Sequence, residues 1–586
     1  MLTVAASLLC TLDPPAATAV AAPPDRAAGT EAVPQFRWRG VVEGYYGTPW
    51  THAEREAQFT WMGAHGLNAY IHAPKDDPYQ RANWRDPYPA AEEAALLHEV
   101  EAASAAGVGW IPNISPAFAL IPSRPAPGTA ASRPICFACS ADVDVLVQKL
   151  APFVAAGAPA VAISFDDVLP VSPYPQDWRT YGVGAVAAAR MQRDLLASVR
   201  ERLGVAVITV LTEYAGTHDS PYLQAIRSGT GLDPGVEVCW TGTAVISATI
   251  TAGDAAAYAR LVGRDRIVVW DNYPAHDVTG PVFGRPPSRL FLGPYEGRDP
   301  RLGEAVDGIV SDPMQFPVAS RIALSTMGEY LADPAGYDPE AAWERALDDA
   351  GGGGVAVLAQ NSRSSRLDRT ESLQYSAAAE AFEAGLAAGG WPAARVALDA
   401  QLAREMSAGA EVAAANPALF GEIEPWLSTL AANAAVTSHA ADLAQLLQPD
   451  LAVSTRGDGS GGMVVTGTVA PARPADAVAG LPGLASEWAA LRARPPVTHG
   501  DRLTFLSDII YVGENRMDRF VGGITWWVLS RLVPAAVAGT RVSVAVDGVG
   551  VTVAADGTFA TTVAVGPVEV VATDGAGAVT RVRTAG

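Results

Sequence analysis

Basic residues are scarce in this chain. Its 41 lysines and arginines stand against 62 aspartates and glutamates over 586 residues, a formal net charge of −21. Such a surface opposes nucleic acid and anionic membranes as general partners, and it also repels polyanionic polymers. Cysteine is scarcer still: Cys10, Cys136, Cys139 and Cys239 are the whole set. A single Cys-x-x-Cys without a second pair points away from zinc and fits a local disulfide, a redox pair or no pairing. We expect a disulfide that braces the Pro-rich stretch before it. The histidines are isolated, and neither HExxH nor a paired cysteine-histidine spacing occurs, so no metal or other cofactor is expected. His72 and His276 read as packing or rim residues. A G-x-S-x-G elbow is missing, and Gly351 to Gly354 lacks the strand-turn-helix context of a phosphate loop. Nor does any uninterrupted apolar stretch reach the ~20 residues that span a bilayer.

What the chain does have is a globular 49% apolar content and room for several domains. Residues 1–33 are Ala- and Pro-rich, with an apolar stretch Leu2 to Leu12 and small residues at Ala17 to Ala22, which reads as a secretory leader without its usual basic start. Extracellular release is expected. A lipid anchor at Cys10 fits less well, because Ser7-Leu-Leu9 is a poor lipoprotein box.

Residues 34–334 alternate short apolar runs with amphipathic stretches, the pattern of repeated βα units. Eight strands are expected: Trp38–Tyr45, Leu67–Ala73, Val108–Ile114, Ala160–Phe165, Val205–Leu211, Val236–Trp240, Ile267–Trp270 and Gly308–Ser311. Gly66, Gly107, Gly157 and Gly204 stand where the intervening helices would stop. The expected fold is α/β, a (β/α)8 TIM-type barrel. Beyond it, 335–450 read as a helical bundle, 451–482 as a linker or irregular segment, and 483–534 as helical with Trp526 and Trp527 in the core. Residues 535–586 read as a small β module of immunoglobulin-like type.

A barrel does its chemistry at the C-terminal ends of its strands, and polar and aromatic residues follow seven of the eight. Asp166 and Asp167 end the apolar run from Ala160 to Phe165; Glu43-Gly-Tyr-Tyr-Gly47, Lys75-Asp-Asp77, Thr212-Glu-Tyr214, Trp240-Thr-Gly242, Trp270-Asp-Asn272 and Ser311-Asp-Pro313 follow other strands. Adjacent acids also occur at Asp76-Asp77 and Asp348-Asp349, so the position of the pair carries the signal. Crowded carboxylates repel, and one proton tends to stay between them. Successive side chains of a strand face opposite ways, so both acids can serve one ligand only if the strand ends at Phe165 or Asp166. Tyr214, Trp240 and Trp270 suit the apolar faces of sugar rings, while Asn272, Asp277 and Asp312 suit hydroxyls. Paired carboxylates with aromatics select a glycosidase.

Arg39-Gly-Val-Val-Glu-Gly-Tyr-Tyr-Gly-Thr-Pro-Trp50, Ala73-Pro-Lys-Asp-Asp77, Phe165-Asp-Asp-Val168, Thr212-Glu-Tyr214, Trp240-Thr-Gly242 and Trp270-Asp-Asn272, in that order, resemble glycoside hydrolase family 84, which contains O-GlcNAcases and bacterial β-N-acetylglucosaminidases. A weaker likeness continues through Tyr337 to Ala346 and Asn361 to Ser365. The resemblance implies retaining hydrolysis of terminal β-linked GlcNAc on glycoconjugates through an oxazoline, with the sugar's acetamide as nucleophile. It implies that Asp166 orients the acetamido N–H and that Asp167 is the general acid and base. By the same resemblance Gly44, Lys75, Tyr214, Trp270, Asn272 and Asp277 line the sugar pocket, with Lys75 and Asp277 on hydroxyls and Tyr214 and Trp270 around the acetamide. Two departures stand out. Asp312-Pro313 replaces the family's Asn-Pro, an acceptor-only group in place of an amide, and Ser115-Pro-Ala117 with a Pro-rich stretch to Pro134 replaces Ser-Pro-Gly. These leave open a related hexosaminidase or hyaluronidase-like enzyme with another sugar preference, or a glycan-binding protein without catalysis.

Overall fold

The computed structural model describes residues 36–117, 119–120, 125–277, 288–492, 510–511, 514–538, 542–574 and 578–584. The expected leader and Cys10 lie outside the described residues, as does part of the Pro-rich stretch.

Eight parallel strands close into a barrel: β1 (Trp38–Glu43), β2 (Ala69–His72), β3 (Gly109–Ile114), β4 (Ala160–Ser164), β5 (Ala206–Val210), β6 (Val236–Trp240), β7 (Ile267–Asp271) and β8 (Val306–Ser311), with β8 paired back onto β1. Alternation along the strands divides two cores. Val42, Ile71, Ile111, Ala162, Ile208, Cys239 and Val268 fill the barrel interior, while Val41, Tyr70, Trp110, Val161, Val207 and Val238 face the surrounding helices. Each fully buried aliphatic or aromatic side chain contributes about 1.5–3 kcal/mol, so this two-sided burial dominates the stability of the sheet. Helices α1 (His52–Ala64), α2 (Ala90–Ala105), α3 (Ser140–Ala155) and α5 (Ala185–Leu203) are followed by Gly66, Gly107, Gly157 and Gly204, all at positive φ. A left-handed residue there ends each helix and turns the chain into the next strand. α4 (Pro175–Tyr181), α6 (Pro221–Arg227) and α7 (Ala252–Leu261) complete the set before β8, and α8 (Pro317–Ala332) follows it.

Strand β4 stops at Ser164, one residue before the expected end. Phe165 still donates its N–H to Val210 O at 2.7 Å, and Asp167 then adopts φ of +51°. A left-handed aspartate breaks the strand alternation and returns the second acid to the rim occupied by the first.

α9 (Pro339–Asp349), α10 (Gly353–Gln360), α11 (Leu373–Ala388), α12 (Trp391–Ala415) and α13 (Pro417–Gln445) pack against one another beyond the barrel. The carboxylate of Glu422 on α13 caps α8 by accepting from Val318 N and Ala319 N at 3.0 and 2.8 Å, which fixes helices to barrel.

Two expectations for the C-terminal third need correction. Residues 451–482 are not a linker: Asp450–Gly457 (β9) and Gly462–Ala470 (β10) form an antiparallel hairpin, and α14 begins at Pro474. The β module is also not confined to 535–586, because β10 pairs with Thr558–Ala564. Two sheets result, one of three strands and one of four, which share the core of Leu451, Val465, Val544, Val546, Phe559 and Val570. Helices α14 (Pro474–Arg492) and α15 (Glu514–Ala538) are inserted within this sandwich and pack on α13. Frequent glycine and alanine concealed the strand alternation of 451–470. Trp526 is 73% exposed, not core, whereas Trp527 is partly buried. Among the described residues no helix is long and apolar enough to cross a membrane.

Candidate active site

The C-terminal ends of the barrel strands surround a cavity of about 360 Å³. Nine residues singled out in the sequence line it: Gly44 from β1, Lys75 from β2, Asp166 and Asp167 from β4, Tyr214 from β5, Trp270, Asn272 and Asp277 from β7, and Asp312 from β8. Trp240, also expected to face a sugar ring, does not: it is fully buried and stacks on Tyr258. Tyr46, Thr241, Val245 and Arg366 join them. Tyr46 lay within the motif after β1 without being chosen, because nothing in sequence distinguishes it from its neighbour Tyr45, which is core. Arg366 follows the Asn361–Ser365 segment, and only the fold brings that segment to the barrel mouth.

The two acids have different surroundings. Asp166 forms a buried ion pair between its Oδ2 and Lys75 Nζ, while its Oδ1 is buried with no hydrogen-bond partner among the described residues. Burial alone would raise this carboxyl, but the charges of Lys75 and Arg81 outweigh it and hold Asp166 below the usual carboxylate range. Asp166 is therefore kept ionised by cations, which refines the expectation of a proton shared through repulsion. Asp167 is instead held by hydroxyls: Tyr46 donates to Oδ2 at 2.8 Å and Tyr214 to Oδ1 at 3.2 Å. Burial first, and the charges of Asp167 and Asp166 next among the raising causes, push both phenols far above their ordinary value, so they remain protonated donors.

Lys75 and Lys149 are the only two lysines in the sequence. Both are buried, and they act on the same loop. Lys149 on α3 donates to the carbonyls of Tyr79, Trp84 and Asp86 at 2.6, 3.1 and 2.7 Å, tying down the segment that carries Lys75 and Arg81. Burial lowers its ammonium to about 8.

The opposite wall is built around the turn after β1. Gly44 N donates to Asp312 Oδ1 at 3.0 Å and Tyr46 N to Asp277 Oδ2 at 2.8 Å. Asp277 and Asp312 thus grip the backbone of one turn as well as facing the cavity. Burial, and then the Asp277 charge, push the Asp312 carboxyl well above the usual range against the pull of Gly44 N–H and Lys75. Trp270 Nε1 donates to Asn272 Oδ1 at 2.9 Å, and Asn272 Nδ2 donates to Val245 O at 2.7 Å. Behind them Arg298 holds Asp271 through two bonds of 2.8 and 2.6 Å. His72 stacks on Trp110 and His276 packs edge-on to Phe316, both outside the cavity lining. Cys136 and Cys139 are disulfide-bonded at the start of α3, and Cys239 is free inside the barrel.

A sequence profile of the β-N-acetylglucosaminidase family matches residues 39–363, more than half of the chain. The chain belongs to that family. It is one of glycoside hydrolases, family 84, and the match covers every strand of the barrel but the first residue of β1. Protein O-GlcNAcase from Rattus norvegicus and from Mus musculus are each 30% identical over 297 residues, 50% of this chain. The chain spans only 29% of the length of these relatives. An O-GlcNAc hydrolase mutant from Thermobaculum terrenum shares the fold with a TM-score of 0.70 at 24% identity, over 86% of this chain and 98% of that one. CpGH84B does so with a TM-score of 0.63 at 22% identity, over 84% of this chain and 77% of that one.

Proposed function

We propose that this chain is a retaining exo-β-N-acetylglucosaminidase that removes terminal β-linked GlcNAc from glycoconjugates, with the substrate's own acetamide as nucleophile. The observation that carries the reading is the division of labour between adjacent acids: Asp166 is ionised by Lys75 and keeps a buried oxygen without a partner, and Asp167 is held by two phenols. A carboxylate with one oxygen already occupied and the other buried without a partner matches an amide N–H donor. Asp166 Oδ1 accepts that N–H and raises the nucleophilicity of the acetamide oxygen.

The acetamide oxygen forms a bond to the anomeric carbon as the bond to the leaving oxygen breaks, and Asp167 transfers its proton to that oxygen. An oxazoline results with its ring nitrogen still protonated, and the Asp166 carboxylate continues to accept that N–H and balances the ring's positive charge. Asp167, now a carboxylate, takes a proton from water, and the hydroxide oxygen bonds to the anomeric carbon while the ring C–O bond of the oxazoline breaks. Two inversions give net retention. Trp270 and Tyr214 flank the acetamide, Asp277 accepts from a sugar hydroxyl, and Asp312, held protonated by burial, donates to one. Secretion is part of the same proposal, supported by the leader-like composition of residues 1–33 and by the Cys136–Cys139 disulfide; cell fractionation tests it. The carboxyl at Asp312 also favours a second reading, a hexosaminidase with a different preference at the sugar's outer hydroxyls.

Product stereochemistry tests the mechanism. Proton NMR of an aryl β-GlcNAc reaction should show the β-anomer of free GlcNAc first; initial α-anomer would exclude the proposed route.

A further inference from the structure

The geometry points to Arg81 as a positioning residue that acts through Tyr46 to make Oδ2 of Asp167 a permanent acceptor, leaving Oδ1, on the Tyr214 side, as the oxygen that carries the catalytic proton. The assignment of that proton rests on the function proposed above.

Arg81 Nη1 donates to the Tyr46 hydroxyl oxygen at 3.3 Å, and the guanidinium lies 5.6 Å from the centre of the Tyr46 ring. A guanidinium has no acceptor and cannot be deprotonated in a protein, so the direction of this bond is fixed. The Tyr46 hydroxyl has one proton, and with its oxygen accepting from Arg81 that proton goes to Asp167 Oδ2, 2.8 Å away. Among the described residues no cation backs Tyr214 in this way. Its hydroxyl reaches Oδ1 at the longer distance of 3.2 Å and is free to rotate its proton elsewhere when Oδ1 itself becomes the donor.

Arg81 is also placed as a source of field. It is only 4% exposed, yet no carboxylate lies within ion-pair distance among the described residues, and its Nε and Nη2 have no hydrogen-bond partner there. A buried cation without a direct counterion is costly unless more distant charges compensate it. The compensating charges are Tyr46's dipole and the carboxylates of Asp166 and Asp167, which act on Arg81 in turn. One loop after β2 therefore supplies a cation to each acid: Lys75 to Asp166 directly, and Arg81 to Asp167 through a phenol. Lys149 closes that loop by binding three of its carbonyls.

The test does not depend on turnover. Carbon-13 NMR titration of the aspartate side chains, assigned with Asp167→Asn, gives the pKa of Asp167 in the wild type and in Arg81→Met, Arg81→Lys and Tyr46→Phe. Removal of the charge, or of the hydroxyl that transmits it, should raise the Asp167 pKa by about one pH unit, and Arg81→Lys should restore most of it. In the hydrolysis assay the alkaline limb of kcat/KM should move up by the same amount, and Tyr214→Phe should leave the Asp167 pKa closer to wild type than Tyr46→Phe does. An Asp167 pKa unchanged in folded Arg81→Met and Tyr46→Phe would overturn the inference whatever the enzyme's substrate. A shifted pKa without hydrolysis of any β-GlcNAc would uphold the relay and sink the proposed function instead.

Discussion

Gly44 lies against the indole of Trp270 so closely that a Cβ built on it would collide with Cζ2 and stand 3.0 Å from Cη2. The turn after β1 and the end of β7 therefore share one boundary of the cavity, and the glycine is required by contact, since it carries no positive φ. Gly44→Ala should push the indole into the cavity and reduce kcat/KM by about 10²-fold, the scale of a misplacement near 1 Å. The folded state should survive, because the cavity offers room. Kinetics and a thermal melt on the same preparation check this, and unimpaired kinetics would remove Trp270 from the sugar-contacting wall.

Asp167→Asn removes the proposed proton donor but keeps both tyrosine neighbours. Aryl substrates whose leaving groups depart unaided should lose little in the bond-breaking step, whereas alkyl or peptide-linked substrates should lose about 10²–10⁴-fold. A series of leaving groups of graded acidity checks this. An equal loss across the series would contradict the role of general acid.

The order of the strands and the rim were legible, and the nine chosen residues fall on that rim, because barrel strands bury both faces and concentrate polar residues just past their ends. What was not legible has physical causes. The left-handed Asp167 follows from tertiary packing, not from a turn signal, and the cation that ionises Asp166 comes from another strand's loop. Asp277 and Asp312 bind the backbone of residues 44–46 from two other strands, a contact no local pattern encodes. The β sandwich escaped because its hairpin and its remaining strands are separated by the insertion of α14 and α15.

Asp312→Asn preserves an oxygen for Gly44 N–H and removes a titrating group. Because the folded state raises the Asp312 carboxyl, the native protein holds a proton that the unfolded chain releases, so this residue's contribution to stability falls as pH rises towards its folded pKa. The variant should therefore gain thermal stability over the wild type at pH 8 more than at pH 4, and its preference between GlcNAc and GalNAc substrates should change. Parallel melts and kcat/KM ratios read both effects; a pH-independent difference would deny the titration.

Glu405, buried between α10 and α12 beside Gln401 and Asn361, behaves in the same sense. Burial outweighs its amide partners and pushes it up to about 7. Stability that is complete below the ordinary glutamate range should decline up to about pH 7, by about 3 kcal/mol at most. Glu405→Gln should flatten that decline, as denaturant titrations at pH 5 and 8 would show, while a slope that persists in the variant would place the titration elsewhere.

The central claim is that Asp166 serves the acetamide of the substrate. The most direct measurement is the hydrolysis of matched aryl β-glycosides bearing N-acetyl and N-trifluoroacetyl groups by the wild type and by Asp166→Asn. Fluorination should slow the wild type strongly, and Asp166→Asn should lose about 10²–10³-fold in kcat on the N-acetyl substrate. Wild-type rates indifferent to fluorination, or an Asp166→Asn variant changed only in KM, would contradict it.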